Sequence, residues 1–247
     1  MEATSTNIFE SLKTKAKRLY RTVFPRNHQK LSYSQEGEDR ILTRIFGVDR
    51  NSGFYVDVGA FHPQEYSNTY LFYQKGWRGI NIDARPGSME IFKKIRPEDI
   101  NLEIPISNTK QKLTYYIFNH QVLNGFSKEL SLERDRTGMG DFRAKLLSQI
   151  ELETSTLAEI LDKYLPPNQT IDFLSIDVEG LDYKVLMSNN WDKYRPKILL
   201  IEDTEMTTIN QNAQTPITSF MKEKGYELFG KTVYTLIFKA EDFRGEY

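Results

Sequence analysis

The chain has 247 residues, enough for one large α/β domain with a buried core. Its formal net charge of −1 does not indicate a nucleic-acid-binding protein, and the absence of cysteine excludes disulfides, thiolate metal sites and cysteine nucleophiles. Every apolar run is shorter than the roughly 18 residues that a membrane span needs, and the first residues lack the apolar core of a signal peptide. We therefore expect a cytoplasmic location.

Residues 1–30 differ in composition from the rest of the chain. Seven cationic side chains between Lys13 and Lys30 accompany apolar residues at helical spacing from Ile8 to Val23. The pattern predicts a basic helical extension that precedes a domain at 31–247. Such a helix can lie on the inner face of an anionic membrane. Alternatively, it packs on the domain or on a second subunit of a homo-oligomer, with its charged face in solvent.

Beyond Ser34, short apolar runs typical of strands alternate with helical stretches. Strands are predicted at 53–58, 79–83, 102–106, 113–118, 173–177, 197–202, 226–229 and 233–239, and helices at 67–75, 87–95, 156–164, 182–189 and 216–224. This alternation predicts a mostly parallel sheet with helices on both faces. Gly230 and Lys231 join the last two strands, which indicates a C-terminal antiparallel hairpin.

Residues 119–153 do not follow this alternation. Their strand signal is weak, they carry many charges, and they contain Gly138 and Gly140. We expect this segment to be an insertion or lid that covers the substrate.

Two strand ends carry residues suited to a nucleoside. VDVGAFHP (56–63) contains Asp57 and Gly59, and GINIDARP (79–86) contains Asp83, 26 residues after Asp57. Ligands of open α/β sheets lie at the carboxyl ends of strands, where a glycine admits close approach and a carboxylate can accept both ribose hydroxyls. Asp57 can accept hydrogen bonds from turn amides or from a ligand ammonium group. The alternative is that both aspartates only cap the turn or helix that follows.

The glycine pattern helps to choose the ligand. A dinucleotide site requires Gly-x-Gly-x-x-Gly, whereas AFHP (60–63) follows Gly59 here. A nucleoside without phosphates fits better, and S-adenosylmethionine is the common one. Two rivals remain: a dehydrogenase of another Rossmann type, which the missing glycines oppose, and a non-catalytic scaffold, which the intact Asp57, Asp83 and Asp177 oppose.

Three stretches strongly resemble the FkbM family of methyltransferases: YSQEGEDRIL (33–42), the segment 53–88, and DFLSIDVEGLDYKVL (172–186). The resemblance implies a class I methyltransferase fold, which is a Rossmann-like, mostly parallel seven-stranded sheet with helices on both faces and a C-terminal antiparallel hairpin. It also implies S-adenosylmethionine as donor and hydroxyls of sugars, glycans or natural products as acceptors.

The same resemblance implies the donor-binding positions. Asp57, Gly59 and Asp83 match family positions directly. Gln35 and Glu38, in the upstream motif, are expected near the methionine end of the donor. Ser107, after the third predicted strand, is expected near the adenine ring.

A second group of acidic residues follows two later strands. SIDVEG (175–180) places Asp177 at one strand end, and ILLIED (198–203) places Glu202 and Asp203 at the next. Carboxylates that converge without a basic neighbour raise each other's pKa or recruit a hard cation such as Mg²⁺. A metal held by Asp177, Glu202 and Asp203 could acidify a substrate hydroxyl, as in certain metal-dependent sugar O-methyltransferases. Alternatively, Asp177 and Glu179 position the donor or cap a helix, and the other two are loop acids.

Methyl transfer to a hydroxyl also needs a proton acceptor. His62 follows the glycine turn and can act as a neutral imidazole base, although a histidine in a turn is commonly a structural hydrogen-bonding group. Asp177 is the other catalytic candidate. Tyr66, Asn68 and Glu179 are candidate acceptor contacts. The predicted reaction is O-methylation of a sugar or glycan hydroxyl, on a surface polysaccharide or sugar nucleotide, with a small secondary metabolite as the alternative acceptor.

Overall fold

The computed structural model describes residues 30–138, 143–203, 208–212 and 214–245. The chain divides into two compact units, Met1–Leu31 and Ser32–Tyr247. The predicted basic helix, with its membrane or subunit contact, lies outside the described residues. Within the described ranges, no helix combines the length and apolar character that crossing a membrane requires.

The described residues of the second unit form nine strands: β1 Phe54–Val58, β2 Arg78–Asp83, β3 Ile100–Glu103, β4 Lys112–Phe118, β5 Leu146–Glu153, β6 Phe173–Ile176, β7 Ile198–Glu202, β8 Tyr226–Lys231 and β9 Thr235–Ala240. Seven of them form one sheet in the order β3-β2-β1-β6-β7-β9-β8. The first five strands in that order are parallel, and β9 runs antiparallel to both β7 and β8. The mostly parallel sheet with a C-terminal hairpin, predicted from the sequence, is confirmed.

The chain order of the strands creates a switch point in this sheet. The chain runs outward from β1 through β2 to β3, then returns to place β6 on the other side of β1. Ligands of open α/β sheets bind in the crevice at the carboxyl ends of strands, where the strand order reverses. The carboxyl ends of β1, β2, β6 and β7 are therefore the expected place for a site.

Eight helices occur in the described ranges: α1 Glu38–Ile45, α2 Tyr70–Gln74, α3 Met89–Ile95, α4 Lys128–Thr137, α5 Leu157–Tyr164, α6 Asp182–Met187, α7 Ile209–Asn212 and α8 Pro216–Glu223. They cover both faces of the sheet, because side chains alternate along each strand. Val56 and Val58 of β1 pack with residues of α5, α6 and α8. Tyr55, the residue before Val56, packs on the opposite face with residues of α1 and α2.

Two features differ from the sequence prediction. β4 does not join the main sheet but pairs antiparallel with β5. The segment between these two strands contains a short 3-10 helix, Gln121–Leu123, and α4. β5 falls in the region of weak strand signal because most of its residues are exposed, so that no apolar run marks it. The third strand lies at Ile100–Glu103, earlier than the predicted 102–106, and only an isolated bridge from Ile106 to Ser155 follows it.

Candidate active site

A cavity of about 1040 Å³ opens at the carboxyl ends of β1, β2, β6 and β7. Residues after these strands form one part of its wall, and residues of the segment between β4 and β5 form another. A single drug-sized ligand typically occupies a pocket of roughly 300–1,000 Å³. This cavity is therefore large enough for a donor and an acceptor at once.

The turn after β1 brings the backbone close to its neighbours. Gly59 has φ 87°, and the amides of Gly59 and Ala60 donate to the carbonyl of Ile82 at 2.8 and 3.0 Å. A Cβ on Gly59 would lie 1.6 Å from the carbonyl oxygen of Asp177, the residue that follows β6. A side chain there is excluded, so glycine lets the ends of β1 and β6 approach each other.

Asp83 ends β2 and faces the cavity. Its Oδ2 accepts from the Phe61 amide at 2.9 Å, and its Oδ1 accepts from the Arg85 amide at 2.8 Å. Burial raises the pKa of this carboxyl, and the two amides oppose the rise by stabilising the charged form. Each oxygen keeps a further lone pair, so the carboxylate is fixed in place and can still accept both hydroxyls of a ribose.

An apolar slot lies beside Asp83. Val58, Ile82, Ile104 and Ile106 line it, together with Tyr115 of β4. Burial raises the pKa of the Tyr115 phenol well above its usual value, which keeps the ring neutral. The walls are suited to the flat faces of a purine.

Ser107, predicted to contact the adenine, is fully buried and is not among the residues that line the cavity. Its hydroxyl donates to Asn108 Oδ1 at 3.3 Å, and its amide donates to the Ser155 carbonyl at 2.9 Å. Ile104 and Ile106 line the cavity at this position, and Ser107 holds the chain behind them.

Asp57 lies beneath the glycine turn and is also absent from the cavity wall. Its Oδ2 accepts from the Thr69 hydroxyl at 2.9 Å. Burial raises the pKa of Asp57 to about 6, and the nearby Arg96 guanidinium opposes that rise. Arg96 is itself buried and donates to Thr69 Oγ1 at 2.9 Å and to the Pro63 carbonyl at 3.3 Å. Asp57 therefore helps to hold the loop 61–69 in place through its hydrogen bond with Thr69.

The upstream motif divides into a cavity residue and an anchor. Gln35 lines the cavity. Glu38 is buried, and its carboxylate accepts from the Thr235 hydroxyl at 3.0 Å and from the Glu36 amide at 2.9 Å. Glu36 in turn accepts from the Tyr234 amide at 2.8 Å. Glu38 thus ties the motif to the turn between β8 and β9, which places Gln35 and Tyr234 on the wall.

His62 is held by its own turn. Its Nδ1 accepts from the amides of Gln64 and Glu65 at 3.2 and 3.0 Å, and the residue is not among those lining the cavity. Its neighbour Phe61 does line the cavity, as does Tyr66, whose side chain is 60% exposed. Because Nδ1 accepts these hydrogen bonds, the neutral ring carries its hydrogen on Nε2 and offers no free lone pair there.

Asn68, the other predicted contact in this loop, turns toward β6 and donates to Ser175 Oγ at 3.1 Å. It is not among the cavity-lining residues that the structure describes. Of the predicted acceptor contacts in this loop, the structure brings Tyr66 to the cavity and directs Asn68 elsewhere.

Two acids meet on the side of the cavity that β6 and β7 form. Asp177 follows β6 and Glu202 ends β7, with carboxyl oxygens less than 4.8 Å apart. Asp177 is exposed to the open cavity and Glu202 is half-buried. Desolvation by the surrounding groups, followed by the neighbouring carboxylates, raises the pKa of each. Within the described residues, no N–H or O–H donor reaches the buried Glu202 Oε2. A proton held between the two groups would relieve both the repulsion and the missing hydrogen bond.

A carboxyl oxygen of Asp182 lies within 4.8 Å of those of Asp177 and Glu202, but Asp182 also stabilises the loop that precedes α6. Its Oδ1 accepts from the Val178 amide at 2.9 Å and its Oδ2 from the Gly180 amide at 3.0 Å. Burial raises the pKa of Asp182 to about 6, against the stabilising effect of these amides.

Asp203, predicted as a metal ligand, is directed elsewhere. Its carboxylate forms an ion pair with Lys231 Nζ at 2.9 Å and accepts from Asn212 Nδ2 at 3.1 Å. Of the predicted ligand set, the structure brings Asp177 and Glu202 together and pairs Asp203 with a lysine of β8.

Glu179 connects the acidic side of the cavity to the segment between β4 and β5. Its Oε2 accepts from Arg134 Nη2 at 2.6 Å, and Arg134 Nη1 donates to the Leu123 carbonyl at 3.0 Å. Glu179 lines the cavity and has φ 54°, so the loop after β6 turns sharply here.

A family model described as "Methyltransferase FkbM domain" matches residues 57–228, which is more than half of the chain. The chain belongs to this family. The match confirms the resemblance seen in the sequence motifs and identifies a methyltransferase. It includes Gly59, Asp83, Asp177 and Glu202. No curated protein matches the chain.

Sequence reasoning missed several residues that line the cavity of this FkbM methyltransferase. Tyr115 comes from β4, and Glu133 and Arg134 come from the segment between β4 and β5, which was expected to cover a substrate. A signal for α4 existed, because Leu130, Glu133, Arg134 and Thr137 recur at helical spacing. The apolar content of that stripe is low, so hydrophobic periodicity alone did not mark it.

Proposed function

We propose that this protein transfers a methyl group from S-adenosylmethionine to a hydroxyl of a sugar or glycan. The observation that carries the donor is the position of Asp83, whose carboxylate is fixed by two backbone amides at the rim of an apolar slot. This arrangement can bind a ribose through its two hydroxyls and a purine through its faces.

The same turn argues for a donor without a diphosphate. In dinucleotide sites, the amides of the glycine turn point at the pyrophosphate. Here the Gly59 and Ala60 amides already donate to the Ile82 carbonyl, and the Phe61 amide donates to Asp83. These amides cannot cradle phosphates, which favours S-adenosylmethionine over NAD.

The Asp177–Glu202 pair supports the chemistry of the acceptor. In the transfer, the acceptor oxygen forms a bond to the donor methyl carbon, the carbon–sulfur bond breaks, and its electron pair stays on sulfur as a thioether. The hydroxyl proton must leave as the new bond forms. A carboxylate whose pKa is raised is a better base than one with its ordinary pKa, and Asp177, with Glu202 carrying the shared proton, is such a group.

His62 is the weaker candidate for this step. Its Nδ1 holds the turn amides and its side chain is not part of the described cavity wall. We therefore assign proton removal to Asp177.

A divalent cation such as Mg²⁺ is the alternative occupant of the acidic pair. The buried oxygen of Glu202 supports it, because a metal would satisfy that atom as a proton would. One arrangement opposes it: Asp203, the third predicted ligand, is paired with Lys231. The shared proton is the simpler occupant.

The rest of the wall supports a polyhydroxyl acceptor. Tyr66, Gln121, Glu133 and Tyr234 also place polar groups on the cavity wall. Sugars present many hydroxyls to such groups. A small secondary metabolite with a hydroxyl is the runner-up.

The Asp177→Asn variant tests this assignment. The measurement is methyl transfer from labelled S-adenosylmethionine to a panel of hexoses, together with the Kd of S-adenosylhomocysteine by calorimetry. Loss of the base should lower kcat by roughly 100-fold or more, and the product Kd should stay within about twofold because Asp83 and the slot are intact.

Asp192→Asn is the matched control, since Asp192 is exposed and is not a described lining residue. A kcat unchanged in Asp177→Asn would contradict the role of the base. Activity abolished by EDTA and restored by Mg²⁺ would replace the shared proton with a cation.

A further inference from the structure

One face of α4 forms a wall of the cavity. Leu130, Glu133, Arg134 and Thr137 all line it, at the spacing of residues that share one side of a helix. The helix begins after Ser127, whose side-chain oxygen accepts from the Leu130 amide at 3.3 Å. This N-cap fixes the start of the helix and hence which residues point inward.

Arg134 fixes α4 against the acidic side of the cavity. The arginine is mostly buried, and its two terminal nitrogens bind the Leu123 carbonyl and Glu179 Oε2. Glu179 lies two residues after Asp177, the proposed base. The inner face of α4 is therefore close to Asp177, where the acceptor hydroxyl lies in the proposed transfer.

Glu133 is the charged group on this face that remains available. Its side chain is exposed to the cavity. Among the described residues, no hydrogen bond or ion pair reaches its carboxylate, in contrast to the neighbouring Arg134. A carboxylate that lines a cavity without a partner can accept hydrogen bonds from a ligand.

The charges of the described wall are unequal. Five carboxylates line the cavity, namely Asp83, Glu133, Asp177, Glu179 and Glu202, against two guanidinium groups, Arg85 and Arg134. Arg134 is paired with Glu179, and Arg85 lies at the donor end, where Nη2 donates to the Phe61 carbonyl at 3.0 Å. Even with one proton shared by Asp177 and Glu202, the acceptor side carries net negative charge. This favours the cationic sulfonium of the donor and disfavours an anionic acceptor.

We propose that the inner face of α4 selects the acceptor, with Glu133 in contact with it, and that the acceptor is a neutral or cationic sugar and not a phosphorylated or nucleotide-linked one. The inference rests on the proposed function and specifies the substrate of the same site. A phosphate near Glu133 and the acidic pair would meet like charges, because Arg134 is paired with Glu179 and Arg85 lies at the donor end.

The test uses sugars of the same ring stereochemistry that carry different charges. Glucose, galactose and mannose are each compared with their 2-amino and 6-phosphate forms. Binding to the complex of the protein with S-adenosylhomocysteine is measured by saturation-transfer NMR, which does not depend on turnover. In at least one series, the neutral or amino form should bind the unmodified protein about tenfold more tightly than the phosphate.

Two variants assign the discrimination to Glu133. Glu133→Lys should reduce the preference by about tenfold and Glu133→Gln by a smaller factor in the same direction, because charge reversal changes the local charge by two and neutralisation by one. Glu129→Lys is the matched control: Glu129 lies on the same helix, is exposed, and is not a described lining residue. It should leave the preference within about twofold.

The outcomes distinguish a failure of this inference from a failure of the proposed function. Phosphates that bind as tightly as the neutral sugars, or a preference that Glu133→Lys and Glu129→Lys change equally, would overturn the role of Glu133. Binding by none of the sugars, while S-adenosylhomocysteine still binds, would contradict the sugar acceptor itself, and the inference with it. An unchanged Kd for S-adenosylhomocysteine in Glu133→Lys would support the placement of α4 on the acceptor side.

Discussion

The two ends of the cavity are built in different ways. At the donor end, backbone hydrogen bonds hold the Gly59 turn and the Asp83 carboxylate, and the residues come from neighbouring strands of one βαβ unit. At the acceptor end, charged side chains meet from separate parts of the chain: Asp177 with Glu202, and Arg134 with Glu179. The donor end is set by strand geometry and the acceptor end by charge, so the two should respond differently to substitution.

The Gly59→Ala variant should show the largest effect, because this glycine lies where the two ends meet. The new Cβ would lie 1.6 Å from the Asp177 carbonyl oxygen, and the residue also has φ 87°. Overpacking against backbone, added to strain of a left-handed conformation, should lower the free energy of unfolding by roughly 4 kcal/mol. Urea denaturation of the purified variant measures this loss.

Gly87→Ala is the matched control for that variant. Gly87 has a similar φ of 79°, but a Cβ there would meet no atom within 4 Å. Only the conformational strain remains, which should cost about 1 kcal/mol. Equal losses in the two variants would show that strain alone, and not the close approach of β1 to β6, makes glycine necessary at 59.

The Asp57→Asn variant tests the support beneath the donor end. Because the pKa of Asp57 rises from 3.8 to about 6 on folding, the folded protein binds this proton more tightly than the unfolded chain. Below about pH 4 this difference contributes about 2–3 kcal/mol to the free energy of unfolding, and the contribution is lost as the pH rises through 6. Asparagine should remove this part of the pH dependence.

Urea midpoints measured from pH 4 to pH 7 provide the comparison for Asp57. Asp182, whose pKa is also raised to about 6, contributes the same trend in both proteins, so the difference between the two curves isolates Asp57. Asp49→Asn, at an exposed position, should leave the curve unchanged. Parallel curves for the unmodified protein and Asp57→Asn would contradict the account.

The contrast between the two ends also explains what the sequence could predict. Asp83 and Gly59 were found because a nucleoside site needs them at strand ends, and strand ends follow from local apolar runs. The partners of Asp57, Glu38 and His62 were not predictable, because each accepts hydrogen bonds that depend on the fold of a loop.

The acceptor end was less accessible from the sequence. Asp203 was expected beside Asp177, but Lys231 is far along the chain and no local pattern reveals that pair. The Arg134–Glu179 ion pair likewise joins elements that are distant in sequence. β5 escaped prediction because its exposed residues leave no apolar run.

The most direct test of the central claim is calorimetric binding of S-adenosylhomocysteine to the unmodified protein and to Asp83→Asn. Asparagine keeps the shape but removes the charge, and loss of a charged hydrogen-bond acceptor should raise the Kd at least about tenfold. Glu103→Gln is the control, since Glu103 pairs with Asp83 in register at the end of β3 but is not a described lining residue; its Kd should not change. An unchanged Kd in Asp83→Asn, or binding of NAD where S-adenosylmethionine does not bind, would contradict the account.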